Sequence, residues 1–538
     1  MIKYFLIILL LSIDIAVAQH IPSTFNLKGE RKLNKTLSEN PSGNSVSDII
    51  TIGDTIWIGS SKGVSLSTDN GTTWQNFYGN TAFGTESISA ISYDQGVFWA
   101  ATAHTVDENG QSLPEGSGLR YTTNNGLTWN SISQPVDNSG DSIVPYGINN
   151  LRALPVTVKV QNLIYDIAFT PGTIWIASFA GGLRKSTDMG TTWQRVVIPP
   201  DNLNSIKPTD TLDFCLQPVA GKFCSDNNLN YRVFSVISVN DSTLYVGTAG
   251  GINKSTDGGI SWTKFTHLNE DNPITGNFVV ALAYNLVNTK VYVWAATWQA
   301  EGSTESYGVS FTNNGGNSWN TSLDKEHVHN FGFKSGDVIA ASDDGAFRSS
   351  DLGISWILPN SIYDNQTKIT LTTSIYYAAA SIVIPPSGMS SGINEVWLGS
   401  NDGLAKMSEI PGEMWQGKWK IFRSSPSLSL QTQTYAYPNP FSPKQDILKI
   451  KYSTGGKSSS VTIRIFDFGM NYVRTVINNA IRGQNSHVVD NFNLQNNGVE
   501  DTWDGRDAAG NIVPNGVYFY RIEFDSNNPV FGKILVLQ

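Results

Sequence analysis

The sequence predicts an all-β protein, a seven-bladed β-propeller followed by an immunoglobulin-like β-sandwich. Three observations carry that expectation. An eight-residue turn, STDNGTTW at 67–74, comes back five more times. Each copy sits among the same short apolar strands. Beyond residue 422 the texture changes to alternating strands joined by turns of another kind.

At 538 residues the chain exceeds one ordinary hydrophobic core, so more than one folded unit is expected. The composition is 40% apolar and 15% charged, which is globular. Its 49 Gly and 15 Trp point to many short strands and tight turns. With Lys+Arg 36 against Asp+Glu 45, the summed field repels polyanions, and no basic run interrupts it. Nucleic acid is therefore excluded as a partner.

The first residues, MIKYFLIILLLSIDIAVAQH, combine one Lys, a short apolar run and a small-x-small end at Ala16-Val17-Ala18. They read as a signal peptide over 1–18, cut before Gln19 and followed by an N-terminal segment over 19–44. No later run is long and apolar enough for a stable membrane span. The mature chain is expected at the cell surface or in the medium, with the periplasm as the alternative. There the two cysteines, Cys215 and Cys224, can oxidise to close a small loop.

The turn copies run Ser67–Trp74, Thr122–Trp129, Ser186–Trp193, Ser255–Trp262, Thr312–Trp319 and Ser349–Trp356. Each follows a strand, a short turn, a second strand such as TIWIGSS, a glycine step and a third strand, and precedes a fourth. A seventh unit keeps the strands without the turn: EVWLGSNDGLAKM at 395–407 copies TIWIGSSKGVSLS, and WKIF at 419–422 supplies its last strand. Four-stranded units that need neighbours on both faces close radially, which leaves few sheet edges open. The propeller is placed at 45–422.

The turn's chemistry is that of a fastener. Asp69, Asp188, Asp257 and Asp351 can accept bonds from amides just downstream. Gly71, Gly126, Gly190, Gly259, Gly316 and Gly353 take a φ other residues resist. Trp74, Trp129, Trp193, Trp262, Trp319 and Trp356 bury a large ring. Asn124 and Asn314 replace the acid in two copies, so an acceptor is needed and a charge is not. The pattern S-x-D-x-G-x-T-W resembles the Asp-box, or BNR repeat, of sialidase-like propellers, xyloglucanases, sortilin-type receptors and the photosystem II assembly factor. The resemblance implies a fold and leaves the activity open.

The turns share one face of the disc. Most long insertions fall on the other: loops at 102–118 and 297–307, and connections at 133–162 and 197–231. Only the loop near 385–393 belongs to the turn face. Loops held by a rigid scaffold are where binding groups gather, so the elaborated face is the expected binding face. Its candidates are Trp298, Glu301, Glu305 and Tyr307 on one loop and His104 and Asp107 on another, suited to stacking on a sugar or anchoring a protein. No metal-ligand spacing, phosphate loop, Ser elbow, HExxH or CxxC is present, and neither a metal nor a cofactor is expected. The arginines Arg120, Arg152, Arg184, Arg195, Arg232 and Arg348 do not assemble the triad that a sialidase resemblance would require. A non-catalytic recognition protein binding a glycan or protein is the leading expectation. A glycoside hydrolase pairing acids such as Glu301 and Asp107, and a cell-envelope assembly factor, are the alternatives.

RSSPSLSLQTQT at 423–434 reads as a linker, and about seven short strands over 435–538 suit an immunoglobulin-like sandwich. Tyr437-Pro438-Asn439-Pro440-Phe441, Trp503-Asp504-Gly505-Arg506-Asp507 and Gly516-Val517-Tyr518-Phe519-Tyr520 resemble the FlgD-like immunoglobulin domain. They are also similar to the C-terminal sorting domain of type IX secretion cargo. That resemblance implies a partner in the secretion machinery.

Overall fold

The structure, a computed structural model, describes residues 37–538 apart from 219–222, 226–227, 368, 372, 387–391, 425–432, 445–446, 456, 484–498 and 526–527. The signal peptide read over 1–18, and most of the segment over 19–44, lie outside the described residues.

Among the described residues, nine sheets lie between Val46 and Phe422, and seven of them, all antiparallel, follow one another in sequence order as the repeat. The first runs Val46–Ile52, Thr55–Ser60, Gly63–Ser67 and Gln75–Asn76. The next six open on Ser87–Asp94, Ile164–Thr170, Val233–Ser238, Phe278–Val287, Val328–Lys334 and Tyr376–Ile384. These seven opening strands touch one another in cyclic order, the seventh against the first, so they line an axis and the sheets radiate from it as blades.

Period 2 is legible in the strands but does not separate inside from outside. Ile56, Trp57 and Ile58 are all 0% exposed, because each sheet is covered by a neighbour on both faces. Small residues permit that spacing. A Cβ on Gly59 would stand 2.7 Å from Ile88 of the second blade, and one on Gly399 2.8 Å from Val46 of the first.

The repeated turn locks two blades together. In the first copy the Gly71 amide donates to Ser67 Oγ (2.8 Å), Thr73 N to Asp69 Oδ1 (2.8 Å), and Thr73 Oγ1 to Asp69 Oδ2 (2.6 Å). In the Asn copies one bond reverses. Asn124 Nδ2 donates to Thr128 Oγ1, and Asn314 Nδ2 to Ser318 Oγ, both at 2.8 Å. A hydroxyl can do either, so the network survives loss of the charge. The glycine at φ +79 in Gly259 lies flat on Trp175 of the preceding blade, where a Cβ would stand 2.5 Å from the ring. Gly71 meets Trp397, Gly126 meets Phe77 and Gly316 meets Phe265 in the same way. Of the motif tryptophans, Trp74, Trp262 and Trp319 are buried, whereas Trp129, Trp193 and Trp356 are half-buried.

The ring closes without exchanging a strand, since the first and seventh blades are each continuous in sequence. Side chains make the joint. Trp74 packs edge-on against Trp397 (6.2 Å) and Phe422 (5.7 Å). Lys406 Nζ donates to Asn70 O (3.0 Å), Lys420 Nζ to Gly71 O (3.2 Å), and Thr51 Oγ1 to Ser381 O (2.9 Å).

Three expectations need correction. The stretch 102–118 is not a loop: Val97–Glu108 and Gln111–Thr122 pair along their whole length, turning at Asn109 and Gly110, both at positive φ. The sixth blade has three strands, Val328–Lys334, Asp337–Ser342 and Gly345–Ser349. A single bridge from Arg348 to Ile357 replaces its fourth, where Pro359 has no N–H to extend the ladder. The connection 197–231 does not stay on the elaborated face. Its Ser205–Ile206 pairs with Trp262–Phe265 at the outer edge of the fourth blade. Its Cys215–Leu216 pairs in parallel with Asn149–Ala153, which pairs with Ile143–Tyr146. From that added sheet Tyr146 Oη donates to Ile260 O, in the fourth copy of the turn (2.8 Å). Apolar side chains drive the path: Tyr146, Leu151, Ile206, Phe214 and Leu216 share one core with Trp175 and Trp262. A disulfide joins Cys215 and Cys224 within this layer.

Past the propeller, Thr434–Tyr437, Leu448–Tyr452 and Val499–Trp503 form one sheet. Tyr472–Arg482, Ser459–Phe466, Gly516–Phe524 and Val530–Val536 form a second. One core between them holds Ile450, Tyr452, Ile463, Trp503 and Tyr520, which makes a β-sandwich. Asp507 Oδ1 accepts from the amides of Ala509 and Asn511 (both 2.9 Å), so this acid shapes a turn. No helix among the described residues is long and apolar enough to cross a membrane.

Gly259→Ala is expected to lower unfolding free energy by about 2–3 kcal/mol, from positive φ plus overpacking against Trp175. Asp188→Asn should shift the thermal midpoint far less, because Asn124 and Asn314 already do its work. Denaturant and thermal unfolding of the two variants check this. A comparable loss in both would make the charge, and not the glycine contact, the critical element.

Candidate functional site at the channel mouth

Every opening strand carries a register shift from its first or second residue, at Val46/Asp48, Ile88/Ala90, Ile164/Asp166, Val233/Ser235, Val279/Ala281, Val328/Asn330 and Tyr376/Ala378. Such a bulge leaves one residue unpaired and re-aims it. Around the ring those residues are Ser47, Ser89, Tyr165, Phe234, Val280, His329 and Tyr377, and all seven line an axial cavity of about 660 Å³. The strands begin on the face opposite the repeated turns, so this necklace rims the cavity's mouth on that face. Two serines occupy one arc of it, and aromatic or imidazole rings most of the other.

In the first, third and fourth blades the residue after the bulge reaches the next blade. Asp166 Oδ2 accepts from Val236 N (2.9 Å) and Ser235 Oγ (2.8 Å), and Ser235 Oγ accepts in turn from Leu282 N (2.9 Å). Asp48 Oδ1 accepts from Ile49 N (2.8 Å), and its Oδ2 faces Ile91 N of the second blade (3.4 Å). Solvent in the cavity touches both acids, yet they sit deep in the protein. Burial, and for Asp48 the charge of Asp166, push their pKa values up to about 7 for Asp48 and about 6 for Asp166.

From the necklace the rings continue outward. Tyr165 meets Phe234 at 5.2 Å, Phe234 meets Phe278 at 4.7 Å, and Phe278 meets Trp298 at 5.9 Å. Trp298 then packs edge-on against His327 (5.2 Å), His329 (5.6 Å) and Tyr307 (6.2 Å), and His329 against Tyr377 (5.2 Å). Trp298 Nε1 donates to Val328 O (3.0 Å), and Asp343 Oδ1 holds His329 Nε2 (2.7 Å). These anchors fix a half-exposed arc of rings from the third blade to the seventh.

Trp298 and Tyr307 belong to this arc. Glu305 does not face out: its carboxylate is buried and accepts from the amides of Asn277 (2.8 Å), Ala300 (2.9 Å) and Gly302 (3.0 Å). It shapes the loop that carries Trp298, a structural duty in place of the binding role expected. Glu301 is exposed at the loop tip. His104 and Asp107 stand on the second blade's long hairpin, where His104 Nδ1 lies 3.0 Å from both Glu86 Oε2 and Ser117 Oγ. Asp107 Oδ1 accepts from Gly110 N at the hairpin turn (2.9 Å). Asp107 stands on the second blade and Glu301 on the fifth, and these blades are not neighbours in the ring. Among the described residues no cluster of three His, Cys, Asp or Glu could hold a metal ion. Tyr165, Phe234, Phe278, His327, His329 and Tyr377 were missed. Aligning the seven opening strands on their second residues, or third in the second and fifth blades, would have exposed the necklace members among them.

Because both raised acids are protonated more readily in the folded state, they reduce stability as pH rises from about 4 towards 7. The thermal midpoint is therefore expected to fall over that window, and Asp166→Asn should flatten the fall. A midpoint profile identical in the variant would refute the assignment.

No family model matches the chain, and no curated protein matches it. Solved structures do. PorZ, a bacterial surface component of the type-IX secretion system of Porphyromonas gingivalis, is 14% identical with a TM-score of 0.39, over 92% of this chain and 66% of that one. An ancestral GH74 enzyme is 14% identical with a TM-score of 0.49, over 93% and 63%. The GH74 enzyme of Niastella koreensis is 14% identical with a TM-score of 0.46, over 94% and 75%. This chain thus spans under two thirds of the length of the first two. At such identities and scores the likeness carries no argument, and the functional reading rests on this chain's own residues.

Proposed function

We propose that the chain is a secreted or cell-surface recognition protein, without covalent chemistry, that binds a glycan at the channel mouth. One observation carries this: a chain of half-exposed rings, Tyr165 to Tyr377, rims an open cavity beside hydroxyl and carboxylate groups. Pyranose faces stack on such rings while their hydroxyls bond to the polar groups between them. The repeated turn is read as an Asp-box and has no share in binding. The sandwich over 435–538 is read as a FlgD-like module that addresses the chain to type IX secretion, on the strength of its Trp503 to Asp507 and Gly516 to Tyr520 motifs.

A glycan array followed by calorimetry tests the binding. Trp298→Ala and Tyr377→Ala are each expected to weaken the best ligand about tenfold or more with the fold intact. Unchanged affinity in both would refute the site. Turnover of an array glycan would favour the glycoside hydrolase, and specific capture of one envelope protein with no glycan bound would favour the assembly factor.

The secretion reading predicts that deleting 435–538 leaves the propeller in the periplasm. Cell fractionation checks it, and a truncated protein still reaching the surface or medium would overturn it.

A further inference from the structure

The rings at the channel mouth form a track and not a collar. Five consecutive blades, the third to the seventh, supply them. Successive rings, Tyr165, Phe234, Phe278, Trp298, His329 and Tyr377, stand 5.2, 4.7, 5.9, 5.6 and 5.2 Å apart. None of the six is buried. The remaining arc does not match them. Ser47 Oγ donates to Ile88 O (3.2 Å) and Ser89 Oγ to Ile164 O (2.7 Å), so the first and second blades commit their necklace hydroxyls to a neighbouring blade.

The track also leaves the cavity. At the fifth blade the necklace residue is Val280, and the rings pass outside it through Phe278 and Trp298, which pair across the first two strands of that blade. A pyranose face is about the size of one such ring, so a ligand that uses the whole track has several sugars in a row. Successive flat units on successive rings is how aromatic platforms hold other polymers.

Charge narrows the class further. The residues described as lining the cavity include three carboxylates, Asp48, Asp94 and Asp166, and neither Lys nor Arg. Arg232, over Phe179 at 5.6 Å, donates to Pro218 O (2.8 Å). Lys325, whose amide meets Tyr307 O (2.9 Å), is flanked in sequence by Asp324 and Glu326. A sugar carboxylate is held by an arginine fork or another cation, and a cavity lined by acids repels it.

We propose that the glycan taken at the channel mouth is an uncharged chain of several sugars, lying along the track from Tyr165 to Tyr377. This names the ligand class of the glycan reading and rests on that reading.

Calorimetry on the full mature chain tests it with cello-, manno- and galacto-oligosaccharides of one to six residues and with fragments of the best array glycan, each also with its C6 hydroxyls oxidised to carboxylates. Affinity is expected to rise severalfold with each neutral residue added until the track is filled. An oxidised chain should bind about tenfold or more weakly than its neutral parent. Tyr165→Ala and Tyr377→Ala, at opposite ends of the track, should each weaken the longest chain about tenfold or more, and the double variant by about the product. The length series on the unaltered protein decides the matter if a variant does not fold. Single sugars bound as tightly as the longest chain, oxidised chains bound as tightly as neutral ones, or a longest chain indifferent to Tyr165→Ala would each overturn this inference and leave the glycan reading standing. No glycan bound at all would sink both.

Discussion

The contact on which the disc depends is a glycine laid against the preceding blade. A propeller blade is a sheet with two apolar faces and cannot be stable alone. Gly259 on Trp175, Gly126 on Phe77, Gly316 on Phe265 and Gly71 on Trp397 let adjacent sheets approach at their outer edges, while Gly59 and Gly399 do so nearer the axis. Any Cβ there would meet a ring or a branched side chain at less than van der Waals distance. The serine or threonine, the acid or amide, and the tryptophan of each turn serve to hold that glycine at a φ which lets it lie flat.

The ring's closure follows from the same device. Gly71 belongs to the first blade and Trp397 to the seventh, so the joint that seals the circle is one more instance of the contact made between the other blades. No strand is exchanged across it. The lysines Lys406 and Lys420, donating to the carbonyls of Asn70 and Gly71, add polar ties where the chain ends meet. At the boundary of the sixth and seventh blades the device is missing. An ion network and a cavity stand in its place, and the protein differs there from its own repeat.

At the axis the constraint is different. Seven strands converging on one line cannot all keep a regular ladder and still reach their neighbours, and each relaxes by one bulge. The bulge gives every blade one side chain at the channel, and in the first, third and fourth blades the residue after it stitches to the next, as Asp166 does to Val236. Structure and candidate function are thus separated by a single residue: the stitch holds the ring, and the re-aimed side chain beside it rims the mouth. Holding carboxylates in such a place raises their pKa, which couples the ring's stability to pH.

The all-β class, the repeat, its phasing and the fastening role of the turn were legible in the sequence. They depend on local chemistry: an acceptor two residues after a hydroxyl, a glycine two later, a tryptophan three beyond that. Asn124 and Asn314 already announced that charge is dispensable, and the reversed bonds to Thr128 and Ser318 say how. What only the tertiary structure decided is which residues come together across blades. Trp298 and Tyr307 could be picked out as candidates, but not the other rings that Trp298 meets, Phe278, His327 and His329, which lie 20 to 31 residues from it. Glu305 could not be told from a binding acid until its amide partners were in place. Nor could the hairpin at 102–118, which has the polar composition of a loop, be known to keep its ladder. Sequence encodes the turn because a turn is made of neighbours; a site is made of residues that only the closed ring makes neighbours.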